Sequence, residues 1–183
     1  MRRLFPVVLI ATLLMAGVLT SIVPAIGSGP VGTAALLSFD ELIALYENET
    51  PSEPLAHKLK ELLETPFVEN SAELRDSSAA SQKNSRLRVA QWNIERGMAF
   101  DDIRAALGGR EMFTKHLSAR QHKLDAKELE RVLEESQMLS QADVIVLNEV
   151  DWGLKRSDYR NVAKELAAAL GMNYAFGVEF VEV

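Results

Sequence analysis

The sequence predicts an α/β protein, on three observations. Leu87 to Glu95 (LRVAQWNIE) and Ala142 to Asp151 (ADVIVLNEVD) read as β-strands that end in polar residues. Between them, Leu129, Val132, Leu133, Ser136 and Leu139 fall on one face of a helix that Asp125 and Glu128 cap. From Leu87 onward the elements run β-α-α-β-α-β, the order in which helices cross between strands of one sheet.

The amino terminus stands apart from that pattern. Arg2 and Arg3 precede an uncharged stretch, and its most apolar part, Leu4 to Ile26, is 23 residues long. This is the pattern of a secretory signal, with Ala25-Ile26-Gly27 as a small-x-small cleavage site. It is equally long enough for an uncleaved membrane anchor. Both readings of residues 1–27 leave the arginines in the cytoplasm and the remaining chain outside it. The chain is then secreted, periplasmic or anchored with its domain outside, with residues 4–26 as its means of membrane association.

Residues 28–70 are expected to form a small helical appendage. Ser38 and Glu41 have capping-box spacing, with Leu37 and Leu42 placed as a hydrophobic staple. Thr50-Pro51-Ser52-Glu53 repeats the device with Pro51 at the first helical position. Leu55, Leu59, Leu62 and Leu63 form the apolar face of that second helix, and Pro66 stops it. Residues 71–86 are polar and aperiodic, as expected of a linker. The main domain, 87–183, opens with Leu87, Val89 and Gln91 alternating against Arg88, Ala90 and Trp92. Asp101 to Leu107 suits a short helix, which Gly108-Gly109 breaks. Arg110 to Lys123 is polar and shows no clear element. Asp143 to Leu147 is a continuous apolar run, the pattern of a strand buried on both faces. Ser157 to Leu170 is expected to be helical with Gly171 as its C′ residue. Asn173 to Val183 is expected to be a strand with Tyr174, Phe176, Val178 and Phe180 on one face.

Composition narrows the function. The 183 residues are 48% hydrophobic and 25% charged, which suits a folded globular chain. The net charge of −6 argues against a non-specific nucleic-acid binder with a basic face. It leaves a nuclease open, because a metal supplies local positive charge. With no cysteine, neither disulfides nor a lipid-modified cysteine contribute.

Two strand ends carry the chemistry. Glu149 follows the apolar run of its strand, and Asn93 follows Trp92 at the end of the other. The carboxyl ends of strands are where α/β sheets place ligands. A carboxylate there suits a hard divalent cation, and an amide donates to a phosphate oxygen or accepts from a metal-bound water. Taken singly, each also fits a plainer role, Glu149 as a cap or ion-pair partner and Asn93 as a turn residue. Asp151, Lys155 and Arg156 follow in the next loop (DWGLKRSD). The Arg156 guanidinium has the geometry for bidentate phosphate binding.

The pair LRVAQWNIERG and ADVIVLNEVD resembles the first two motifs of the endonuclease/exonuclease/phosphatase superfamily. Trp92-Asn93 matches the end of the first motif strand, and Asn148-Glu149-Val150 matches a second motif that usually reads Gln-Glu-Val. The resemblance covers roughly Leu87 to Val183. It implies the amino-terminal half of a deoxyribonuclease I-like four-layer α/β sandwich, preceded by the signal or anchor helix and the helical appendage. It implies hydrolysis of a phosphoester, in particular a phosphodiester, with one Mg²⁺ or Mn²⁺. Glu149 is then the metal ligand, Asn93 the catalytic-site amide that helps hold phosphate and water, and Arg156 a substrate contact. The partner implied is a phosphate-ester substrate, and no specific protein partner is inferred. The motifs are 56 residues apart, wider than in compact members of the superfamily, so the resemblance implies that Arg110 to Lys123 is an insertion. Its later motifs, a catalytic histidine, an Asp-x-Asn pair and a terminal Ser-Asp-His, do not follow Glu149. His57, His116 and His122 all precede it and read as surface residues. The expectation is therefore a truncated, inactive form of such a hydrolase. The reading from a different class is an exported or anchored binding module without catalysis.

Overall fold

The computed structural model describes residues 34–70, 87–120 and 124–183. The predicted signal or anchor (1–27), the linker (71–86) and His122 lie outside them. Among the described residues no helix is long and apolar enough to cross a membrane. In chain order the elements are α1 (Phe39–Glu47), α2 (Glu53–Glu64), β1 (Phe67–Glu69), β2 (Val89–Arg96), α3 (Phe100–Leu107), α4 (Arg110–Ala119), α5 (Ala126–Ser140), β3 (Val144–Val150), a 3₁₀ turn (Lys155–Ser157), α6 (Val162–Leu170) and β4 (Tyr174–Phe176). The protein is thus of mixed α/β type, and its contacts divide it into two compact units.

One unit holds α1, α2, β1 and β4. α1 starts where the capping box places it: Ser38 accepts from the Glu41 backbone N–H, and the Glu41 carboxylate accepts from the Ser38 N–H. Lys58 of α2 reaches the same carboxylate at 2.7 Å, which holds the Glu41 carboxyl below the usual glutamate range. α2 begins at Glu53 with Ser52 as N-cap, not at Pro51. Its buried residues are Leu55 and Leu62, while Leu63 is exposed. β1 pairs antiparallel with β4, Phe67 opposite Phe176. This corrects the expectation of one long terminal strand: regular structure from Asn173 onward is limited to Tyr174–Phe176, and its partner is the segment after Pro66.

The other unit holds β2, α3, α4, α5, β3 and α6. β2 and β3 are parallel, with Val89 opposite Val144 and Asn93 opposite Asn148. The α3-α4-α5 segment joins them, as the β-α-β order requires. One face of this strand pair carries Ala90, Ile94, Ile145, Leu147 and Val150 into a core with Phe100, Ile103 and Leu107 of α3, Leu139 of α5 and Val162 and Leu166 of α6. A second cluster joins Ala105 and Ala106 of α3 to Phe113 and Leu117 of α4 and Leu133 of α5. The Ser136 hydroxyl, buried between these helices, donates to the Ala106 carbonyl at 2.7 Å.

Two expectations for this unit change. Arg110 to Lys123, read as an insertion of no clear type, contains α4, whose Phe113 and Leu117 anchor it to its neighbours. Its apolar residues are sparse enough to hide the helical period. β3 is not buried on both faces: Val144 and Val146 are exposed, as is Val89 of β2. Helices cover only the other face of the pair among the described residues.

Candidate functional site

β2 and β3 end side by side, because parallel pairing puts both carboxyl ends at one rim. Strict alternation puts Val89, Gln91 and Asn93 on the open face of β2 and Ala90, Trp92 and Ile94 toward the core. On β3 the open face carries Val144, Val146 and Asn148. Alternation alone would then send Glu149 toward the core with Leu147. It does not go there. Glu149 has a left-handed backbone, φ 52°, and is exposed. β2 breaks its register at the same level: Asn93 pairs with Asn148 and Arg96 with Val150, so one strand carries an extra residue. Glu95 and Arg96 also have positive φ, 47° and 68°, and Gly97 follows at 75°.

These distortions bring the two predicted residues together. Asn93 Nδ2 donates to Glu149 Oε1 at 2.7 Å, and Asn93 Oδ1 accepts from the Glu95 backbone N–H at 3.0 Å. The chemistry fixes the amide orientation, because only the oxygen accepts from an N–H and only the nitrogen donates to a carboxylate. Asn93 thereby holds the Glu149 carboxylate in place through one of its two N–H groups. Glu149 Oε2 accepts no hydrogen bond among the described residues. Behind this pair, Gln91 Nε2 donates to Asn148 Oδ1 at 3.2 Å, so the open face carries a row of amides up to the carboxylate.

Gly97 locks the rim to the rest of the unit. A Cβ there would lie 2.7 Å from Val162 Cγ1, so the turn after β2 packs directly on the first residue of α6. The β3–α6 loop is built around Asp151. Its buried carboxylate accepts from Arg156 Nε at 2.8 Å, from Arg156 Nη2 at 2.9 Å and from the Ser157 hydroxyl at 3.1 Å. Trp152 and Asn161 bridge across the loop. Asp158 and Tyr159, both at φ 57°, keep the 3₁₀ turn from running on into α6, and the Asn161 side chain caps that helix instead. The helix expected from Ser157 thus starts at Val162.

Asn93 and Glu149 are in contact. Arg156 is in the same unit, with its guanidinium forked onto Asp151. His116 is bonded to Asp102 of α3, which also pairs with Arg120. His57 lies in the other unit beside Glu61. Among the described residues no cluster of three or more His, Cys, Asp or Glu side chains is placed to hold a metal ion. The rim offers a hard cation a minimal donor set, one exposed carboxylate with an open oxygen, so most positions of such an ion would fall to water. Sequence reading overlooked Gln91, Glu95 and Arg96. The two-residue step from Gln91 to Asn93 was the available signal for the first; the bulge that sets the other two leaves no mark in composition.

Comparison of the chain with protein-family models, with curated proteins and with solved structures gives no match.

Proposed function

We propose that the unit containing β2 and β3 carries the metal-binding half of a phosphoester hydrolase site of the endonuclease/exonuclease/phosphatase type. The observation that supports this most is the 2.7 Å hydrogen bond between Asn93 and Glu149 at one rim of a parallel strand pair. Two residues 56 positions apart meet there: alternation puts Asn93 on the open face, and the left-handed backbone of Glu149 takes its side chain off the core face and onto Asn93. Glu149 would hold one Mg²⁺ or Mn²⁺ through Oε2, and Asn93 would keep that carboxylate aimed. The bound ion would polarise a phosphoryl oxygen and stabilise its developing charge.

The finer fold follows the same reading. In a four-layer sandwich the face bearing Val89, Val144 and Val146 packs against a second sheet, which gives these exposed valines a use. His116, in the same unit, is committed to Asp102, and general-base assistance of the kind a free histidine gives is typically worth about 10²–10⁴-fold in rate. We propose that the 183-residue chain by itself does not turn over a phosphodiester. Its place is outside the cytoplasm, delivered by residues 4–26 as signal or anchor.

Mn²⁺ titration of the full chain followed by NMR tests the site. The expected result is selective broadening of the Asn93 side-chain amide and the Glu149 backbone amide, lost in Glu149→Gln. Broadening that survives Glu149→Gln, or none at all, would overturn the metal assignment and favour the exported binding module.

A further inference from the structure

An acidic chain that binds a phosphate ester beside a carboxylate needs cationic groups to offset the repulsion. The described residues contain arginines at eight positions, and six of them are spent. Arg104, Arg110, Arg120, Arg131, Arg156 and Arg160 are each paired with a carboxylate. Arg156, the guanidinium that sequence reading favoured, is held by both oxygens of Asp151.

The two remaining arginines lie at opposite ends of β2. Arg88 precedes the strand, where its carbonyl accepts from Asp143 and Val144. Arg96 is the last residue of β2, exposed and without an ion pair among the described residues. Its register partner is Val150, the residue after Glu149. Cross-strand and along-chain spacing put the Arg96 and Glu149 Cα atoms within roughly 9 Å of each other. No ion pair joins Glu149 to Arg96 among the described residues; the hydrogen bond that Glu149 makes is to Asn93. Asp151, the next acid along, is occupied by Arg156.

Resting on the function proposed above, we propose that Arg96 is the phosphate-binding guanidinium of this rim. The ligand is a phosphate group that the Arg96 fork would hold, with Glu149 as the residue that would hold the cation beside it. A guanidinium suits this better than an ammonium, because its planar fork meets two phosphate oxygens at once.

The test is an NMR titration of the full 183-residue chain with Mg²⁺ first and inorganic phosphate second, reading the Asn93 and Glu149 amides. Mg²⁺ should shift these signals equally in the wild type and in Arg96→Gln. Phosphate should then shift them further in the wild type, with its Kd weakened about tenfold or more in Arg96→Gln. Arg96→Lys should recover part of the loss, and Arg88→Gln should bind like the wild type. Arg96→Gly relieves the left-handed backbone and so folds at least as well as the wild type; it should lose phosphate binding all the same. Wild-type phosphate affinity in Arg96→Gln and Arg96→Gly, with the Mg²⁺ response intact, would overturn this inference alone. Absence of the Mg²⁺ response in the wild type would overturn the function proposed above, and this inference with it. A wild type that responds to Mg²⁺ but not to phosphate would also overturn the role of Arg96.

Discussion

Glu149 shows the conflict between stability and site most directly. A non-glycine residue at φ 52° costs on the order of 1 kcal/mol, which glycine avoids. Glu149→Ala keeps that cost and removes the hydrogen bond from Asn93. Glu149→Gly removes both. Glu149→Gly is therefore expected to be more stable than Glu149→Ala by about 1 kcal/mol in urea unfolding, while both lose any metal response. Equal stabilities would mean that the backbone turn is not strained. Asp151 behaves in the opposite way. Its carboxylate is buried, and it satisfies Arg156 and Ser157 together. Asp151→Ala should cost about 2–3 kcal/mol, somewhat below the range for fully buried pairs because Arg156 retains contact with water. A loss under about 0.5 kcal/mol, the level of an ordinary surface change, would show that the loop does not depend on this fork.

At the scale of elements, the helices that local chemistry marks were legible and those that only packing marks were not. α1 and α5 begin where Ser38 with Glu41 and Asp125 with Glu128 close capping boxes. Such boxes are read within four residues, so sequence suffices. α4 lacks one: Gly109 precedes it at φ 93° with no side-chain cap. It is held instead by contacts distant in sequence, Phe113 and Leu117 in the helical core and Arg110 forked onto Glu130 of α5 at 2.7 Å. Hydrogen bonds from Arg110 hold the Glu130 carboxyl below the usual glutamate range. A depressed folded value means that the pair stabilises above the unfolded-state value, about 4.3 for glutamate, and loses its effect as pH falls through the lower folded value. The stability gap between wild type and Glu130→Gln should therefore be present at neutral pH and close as the solution is acidified below about pH 4. Both groups are exposed, so added salt should narrow the gap at neutral pH. A gap that is independent of pH would assign the effect of Glu130 to packing.

For the whole molecule, the α/β class and the parallel pairing of the two motif strands followed from periodicity and order. The meeting of Asn93 and Glu149 did not: alternation sends Glu149 toward the core, and the expectation of a shared site came from the motif resemblance. The rest depended on partners that periodicity does not name. β4 pairs with β1, about a hundred residues earlier, a long-range choice that neither segment announces. After Asp143, the run VIVL reads as a fully buried strand because its residues are all apolar, yet burial depends on what lies over each face. The outer face of β2–β3 exposes Val144 and Val146, while Leu147 turns to the core. These two faces give a direct measurement. Val144→Thr and Val146→Thr together should cost less than about 1 kcal/mol if that face meets water, because exposed substitutions have small effects. Leu147→Ala should cost about 2 kcal/mol or more by opening a cavity. Urea unfolding of the full chain checks both. A double threonine variant as damaging as Leu147→Ala would show that another layer covers the valines in the folded protein. That result would support the four-layer sandwich and contradict the one-sided sheet described above.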